Sequence, residues 1–310
     1  MNDKIIAVAG PTASGKSALA LELCKRLDGE LISLDSMQIY RGLDIGTAKP
    51  TKAEQAEVRH HMIDICEPTE NFSAAEFAER AHKVIADVQS RGKRAVLCGG
   101  TGLYLDTVLG RLDFGEIESD EKLRGELIAF AEKNGAEALH ERLRGIDPQA
   151  AEKIHKNNVR RVARAIEIYE LTGKTKTEHD REAISDSPYE SLIIGLDYDD
   201  REVLYNRINR RVDAMIEAGL EGEVRSLVSR GLLSAESTAG QAIGYKEMLG
   251  YIAGDCSLGD AVEKIKLGTR RYAKRQLTWL RRNPNINWLY PDKLGDFRSL
   301  VCEAEKIINK

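Results

Sequence analysis

Lys4-Ile5-Ile6-Ala7-Val8-Ala9 runs into Gly10-Pro11-Thr12-Ala13-Ser14-Gly15-Lys16-Ser17, followed by a segment with Leu19, Leu23 and Leu27 at helical spacing. The apolar, β-branched run predicts a buried strand, and leucines four apart predict one apolar helix face. Between them stand Gly, four residues, then Gly-Lys-Ser, the spacing of a phosphate-binding loop. Its glycines let the backbone wrap closely and aim N–H groups at phosphate oxygens. The helix start adds positive potential and Lys16 a mobile charge. The Ser17 hydroxyl is placed to ligate a magnesium ion bridging the phosphates, so Gly10 to Ser17 form the candidate phosphate site. The alternative, a glycine turn without a ligand, is disfavoured by the strand before and the helix after.

Outward from this stretch the same alternation continues. Glu30–Asp35, Arg94–Cys98 and Leu192–Asp197 read as further buried strands, with another at Ile286–Tyr290 before a C-terminal helix. Ala74–Ser90 is predicted to be a helix with Ala75, Ala78, Ala81, Val84, Ile85 and Val88 on one face. Strands alternating with helices imply an α/β fold, a P-loop NTPase-like parallel sheet with helices on both faces. Between these parts the chain turns helix-rich, broken only by Asn134-Gly135, Asp147-Pro148 and Thr172-Gly173. The expected organisation is therefore a core of residues 1–115 and 190–310 with an inserted all-helical domain at 116–189.

The parts list is unusual for nucleotide hydrolysis. The strand Ala95–Cys98 ends in Gly99-Gly100-Thr101-Gly102, with no acid to hold a metal. Asp35 instead ends the second strand, where ligands of open α/β sheets bind. It either faces that cleft or caps the turn at Ser36-Met37. The glycine-containing loop from Gln38 to Pro50 is long and polar, as functional loops tend to be. Arg207 and Arg211 share a helix face with Arg210 nearby, either for pyrophosphate oxygens or for surface ion pairs.

The chain has 310 residues and a net charge of −4, yet its cations are unevenly spread. Lys264, Lys266, Arg270, Arg271, Lys274, Arg275, Arg281 and Arg282 share one helical stretch without an acid, interleaved with Tyr272 and Trp279. That is either a nucleic-acid footprint or a solvated helix. Arg160, Arg161 and Arg164 form a second basic cluster in the insertion; two such surfaces suit a large folded RNA. Five scattered cysteines without Cys-x-x-Cys spacing, no signal-peptide pattern and no apolar run of membrane length predict a cytoplasmic protein without membrane contact. His60 and His61, ahead of an expected strand at Met62–Ile65, are read as structural.

Taken together, the residues resemble the tRNA dimethylallyltransferase family, bacterial type, nearly end to end. The resemblance rests on Gly10–Ser17, Asp35–Gly42, Asp44–Pro50, Gly99–Tyr104, Gln241–Glu247 and Lys274–Arg281. Other members carry Thr at position 17 and Ala-Leu at 37–38; Ser17 keeps the hydroxyl, and Met37-Gln38 leave Asp35-Ser36 intact. The zinc-finger tail of eukaryotic relatives is absent, consistent with the cysteine pattern.

The family resemblance implies that the loop holds the pyrophosphate leaving group of dimethylallyl pyrophosphate. The acceptor is then the exocyclic N6 of adenosine 37, beside the anticodon in the stem-loop of tRNAs reading codons that begin with U. Asp35 becomes the general base for that amine, with Lys16, Ser17, Arg207 and Mg2+ stabilising the departing charge and Thr47 and Thr101 near the meeting point. Ser36, Met37, Gln38, Arg161, Arg164, Gln241, Tyr245, Lys246, Lys274 and Arg275 are assigned to tRNA alongside Asp35 and Thr101. A monomer is expected. An adenylate isopentenyltransferase, acting on a free nucleotide, is the alternative, but a mononucleotide needs neither the insertion nor the basic helix.

Overall fold

The computed structural model describes residues 4–110, 120–183 and 187–310. Its sheet comprises β1 (Ile5–Ala9), β2 (Gly29–Ser33), β3 (His60–His61), β4 (Arg94–Gly99), β5 (Ser191–Leu196) and β6 (Ile286–Leu289). All six are parallel, in the order β3-β2-β4-β1-β5-β6. From β1 the chain crosses to β2, comes back to β4, and only later continues on the far side with β5 and β6. The C-terminal end of β1 is thus where the direction of travel across the sheet reverses, the usual position for a ligand in an open α/β sheet.

Every residue of β1 is buried, which is why its sequence is uniformly apolar rather than alternating. Ile6 and Val8 face one layer, where Leu19, Ala20, Leu23 and Cys24 of helix Lys16–Arg26 pack with Leu300, Val301 and Ala304 of helix Phe297–Ile308. The opposite layer includes helix Ala74–Ser90, which packs on β2 and β4. This helix opens with a reciprocal Ser73–Glu76 cap and buries Phe77, Ala78, Ala81, Ile85 and Val88. Each fully buried large side chain of these layers contributes about 2 kcal/mol.

At the sheet edge, buried Glu30 receives Arg91 Nη2 at 2.8 Å and lies 2.6 Å from His61 Nε2. The Arg91 hydrogen bonds, aided by His61, hold the Glu30 carboxyl down to about 2. His60 Nδ1 meets the Val58 carbonyl at 2.8 Å. The histidine pair itself forms β3, correcting the expected strand at Met62–Ile65. Met62 and Asp64 have positive φ, and the amides of Asp64, Ile65 and Cys66 bond to the carbonyls of Gln38 and Ile39. The apolar run therefore lines the Gln38–Pro50 loop and leaves the sheet.

The chain divides into two compact units, Met1–Val108 with Tyr189–Lys310, and Leu109–Pro188. The division begins before the expected residue 116, which lies outside the described residues. In the second unit, helix Glu121–Asn134 stops at Gly135, Asp147 caps helix Pro148–Lys153, and helix Val159–Thr172 stops at Gly173. Leu127, Leu139, Leu143, Val162 and Ile166 make its core. Glu167, fully buried, is satisfied by Arg124, Arg164 and the Asp120 amide. Among the described residues, no helix is long and apolar enough to cross a membrane.

Candidate active site

The phosphate loop leaves β1 at its buried C-terminal end and enters helix Lys16–Arg26 through Gly15, whose φ of 94° is left-handed. The loop is held from outside itself. Gln276 Oε1 accepts from Thr12 N at 2.9 Å, Arg207 Nε donates to the Ala13 carbonyl at 2.8 Å, and the Tyr198 hydroxyl donates to the Ser14 carbonyl at 3.1 Å. Lys16 Nζ folds back onto the Pro11 carbonyl at 3.2 Å. A recess of about 300 Å³ opens over Ala13 to Ala18 and is walled by Arg207, Arg210 and Arg211. With Lys16 and Arg207 hydrogen-bonded to the neutral carbonyls of Pro11 and Ala13, this is an electropositive hollow suited to a polyanion.

Lys16, Ser17 and Arg211 also line a larger cavity of about 480 Å³, which places the anion site and its neighbour side by side. Thr12, Asp35, Ser36, Met37, Gln38, Thr47, Gln241, Tyr272 and Arg275 line that cavity too. Asp35 sits just past β2, as expected, and it also caps the turn: its Oδ1 accepts from Met37 N at 2.8 Å and Gln38 N at 3.3 Å. The two readings of Asp35 are compatible, since both bonds use one oxygen.

Burial lowers the Lys16 pKa, with Arg211 reinforcing and Cys98 and Asp35 opposing. Burial likewise lowers Arg211, against the pull of Asp35 and alongside Arg207. Burial, with the Asp35 charge, pushes the Tyr272 phenol up to about 12, so it stays neutral in the cavity wall.

A sequence model of the IPP transferase family matches residues 38–283. The chain belongs to that family. A protein of Halalkalibacterium halodurans named tRNA dimethylallyltransferase is 51% identical over 309 residues, covering 99% of this chain and 97% of its own. Among solved structures, the full-length tRNA isopentenylpyrophosphate transferase of Bacillus halodurans is 47% identical, with a TM-score of 0.73 over 99% of this chain and 96% of that one. A eukaryotic dimethylallyltransferase, captured acting on tRNA, is 31% identical with a TM-score of 0.80, covering 99% of this chain and 80% of its own. The expected α/β fold with a parallel sheet thus matches the solved IPP transferase structures, and the P-loop-like part of the reading is consistent with it.

Within this IPP transferase several expected residues stand apart from the cavity wall or are engaged by other partners. Tyr245, expected to face tRNA, is fully buried, and its hydroxyl donates to Glu223. Gln38 borders the cavity but spends its amide on the Thr47 and Ala48 carbonyls and accepts from Ser33 Oγ. The Thr101 hydroxyl is buried, whereas Lys246 and Lys274 are exposed. Arg161 is exposed on helix Val159–Thr172 of the helical unit, where Arg164 pairs with Glu167.

The basic helix, Leu258–Leu280, is only partly an open cationic face. Lys266 pairs with Asp213 and Glu263, Arg270 donates to Asn209, and Arg281 pairs with buried Asp197. Trp279 Nε1 donates to Asp106. Gln276 holds the phosphate loop, and a Cβ at Gly100 would crowd its side-chain amide and lie 2.9 Å from the Gly10 carbonyl oxygen, so glycine permits this close approach. Lys264, Arg271 and Arg275 remain exposed along one stripe of the helix, at intervals of seven and four residues, and Arg282 is exposed in the turn that follows. Sequence reading missed Gln276 and Glu223, of which only Gln276 stood in a family motif. It did single out Arg211, for pyrophosphate oxygens or surface ion pairs, and Tyr272, as an aromatic of the basic helix, but not their place in the wall of the larger cavity.

Proposed function

We propose that this IPP transferase moves a dimethylallyl group from dimethylallyl pyrophosphate to N6 of the adenosine next to the anticodon (position 37) in tRNAs that read U-starting codons. The observation that carries the reading is the shared cavity: the strand-end carboxylate Asp35 borders the same space as Lys16, Ser17 and Arg211 of the anion hollow. The pyrophosphate is the leaving group. As the allylic C–O bond breaks, the adenine amine attacks the carbon, and negative charge grows on the bridging oxygen. Loop amides, Lys16, Arg207 and Arg211 stabilise that charge. Asp35 Oδ2, opposite the turn-capping oxygen, takes the amine proton. An adenine inside a stacked loop has to be flipped out to reach this cavity.

Magnesium fits as a companion of the pyrophosphate. Among the described residues no group of three or more His, Cys, Asp or Glu is arranged for a metal, whereas exposed Ser17 offers one hard hydroxyl oxygen beside the anion hollow. When bound, the ion would supply further neutralisation of the leaving group. The protein is read as a cytoplasmic monomer; its five thiols, all free, suit a reducing compartment.

The exposed stripe on the basic helix is the tRNA side, with Lys274, Lys246, Gln241 and, on the helical unit, Arg161 as further contacts. If these cations meet phosphates, tRNA affinity falls steeply with salt, because each neutralised phosphate releases condensed counterion. Changing Arg271 and Lys274 together to Ala should weaken tRNA binding and flatten the log–log salt slope by roughly one unit per lost contact. Pyrophosphate affinity should not change. An unaltered slope, together with efficient prenylation of AMP, would point to a free-nucleotide acceptor instead.

A further inference from the structure

Glu223 lies in helix Leu220–Ser229 and was invisible as a functional residue in the sequence. Its carboxylate accepts from three consecutive backbone amides: Asp44 N at 3.0 Å and Ile45 N at 2.8 Å on Oε2, and Gly46 N at 3.3 Å on Oε1. The Tyr245 hydroxyl adds a fourth bond at 2.5 Å to Oε1. An ionised carboxylate has about four acceptor positions, so this one is saturated by the loop and by one buried tyrosine. Successive amides converging on one anion form a rigid concavity, and charge-assisted bonds of this kind are roughly twice as strong as neutral ones.

The tyrosine ring sets the same loop from behind. A Cβ at Gly46 would lie 2.5 Å from it, so only glycine lets the backbone close on the ring. The next residue, Thr47, faces the cavity, and its carbonyl accepts from Gln38 Nε2 at 3.2 Å. Gln38 N in turn donates to Asp35 Oδ1. A continuous set of bonds therefore runs from Glu223 through residues 44–47 and Gln38 to Asp35. Tyr245 also follows Gln241 to Gly244, which border the cavity from another side.

We infer that Glu223, with Tyr245, is a positioning residue for group transfer, holding the 44–47 loop so that Thr47 and Asp35 face the reacting atoms. This rests on the proposed role of Asp35, with Thr47 lining the same cavity. Glu223→Gln keeps the size but turns one acceptor oxygen into a donor facing the loop amides or the tyrosine hydroxyl. A loop shifted by about 1 Å lowers turnover on the order of 10²-fold. The expected result is therefore a kcat loss of about that size in Glu223→Gln, with pyrophosphate and tRNA affinities within about two-fold of wild type. Gly46→Ala, which displaces the loop against the ring without touching the carboxylate, should show the same kcat-specific loss. Wild-type kcat in both variants overturns the inference, as does loss of pyrophosphate binding in step with turnover, which marks general collapse. A wild-type protein that prenylates no tRNA overturns the proposed function as well, whereas unchanged variants of an active enzyme overturn only the role of Glu223.

Discussion

Asp35→Asn should lower single-turnover prenyl transfer by a factor on the order of 10² to 10⁴, the range that a positioned general base supplies. The substitution is informative because of what it preserves. Oδ1 of Asp35 caps Met37 and Gln38, and the carbonyl oxygen of an asparagine can accept the same two bonds. The turn survives, the phosphate loop is untouched, and pyrophosphate affinity should stay near wild type. Only the proton-accepting oxygen is lost. Rapid-quench single-turnover rates with saturating donor and tRNA read the effect, and a rate near wild type would remove Asp35 from the chemistry.

Lys16→Met should lower kcat/KM on the order of 10²- to 10³-fold, comparable to deleting one preorganised donor from an oxyanion site. It should also change the pH dependence of pyrophosphate binding. In the ligand-free protein, burial holds the Lys16 pKa below the ordinary lysine value, with Arg211 adding to the effect. A bound polyanion favours the ammonium form, so the pKa rises on binding and the complex holds more protons than the free protein. Affinity must then weaken as pH rises through the ligand-free Lys16 pKa. Calorimetric titrations across alkaline pH should show that decline in wild type and lack it in Lys16→Met, the titration of pyrophosphate itself being common to both.

The same depression has a consequence for stability. Between the lowered folded-state pKa and the ordinary value, the unfolded chain binds more protons at Lys16 than the folded one, so this contribution to stability increases with pH. Lys16→Met should abolish it, and the ligand-free variant should be at least as stable as wild type near neutrality. A less stable variant would mean that Lys16 supports the ligand-free fold.

What the sequence made legible was local. Gly10 to Ser17 carry their meaning in spacing, and uniformly apolar runs such as Ile5–Ala9 announce strands covered on both faces. The breaks at Asn134-Gly135, Asp147-Pro148 and Thr172-Gly173 coincide with helix ends because turn chemistry acts over a few residues. The misreadings concern partners distant in the chain. Met62–Ile65 has strand composition, but the Asp64 and Ile65 amides bond to the Gln38 and Ile39 carbonyls instead of the sheet. Arg281 reads as an RNA contact until Asp197 is seen beside it. Tyr245 looks like a surface aromatic in a functional motif, yet it braces Glu223 from the interior. Gln276 is 264 residues from its partner Thr12, a pairing that no periodicity encodes.

The central claim is that the phosphate loop binds a leaving group rather than a phosphoryl donor. Its direct test is mass spectrometry of nucleosides from tRNA incubated with the protein, magnesium and dimethylallyl pyrophosphate, with and without ATP. The account predicts N6-(dimethylallyl)adenosine, with one pyrophosphate released per modified base, at the same rate whether ATP is present or not. Modification that requires ATP hydrolysis, or no modified adenosine at all, would contradict it.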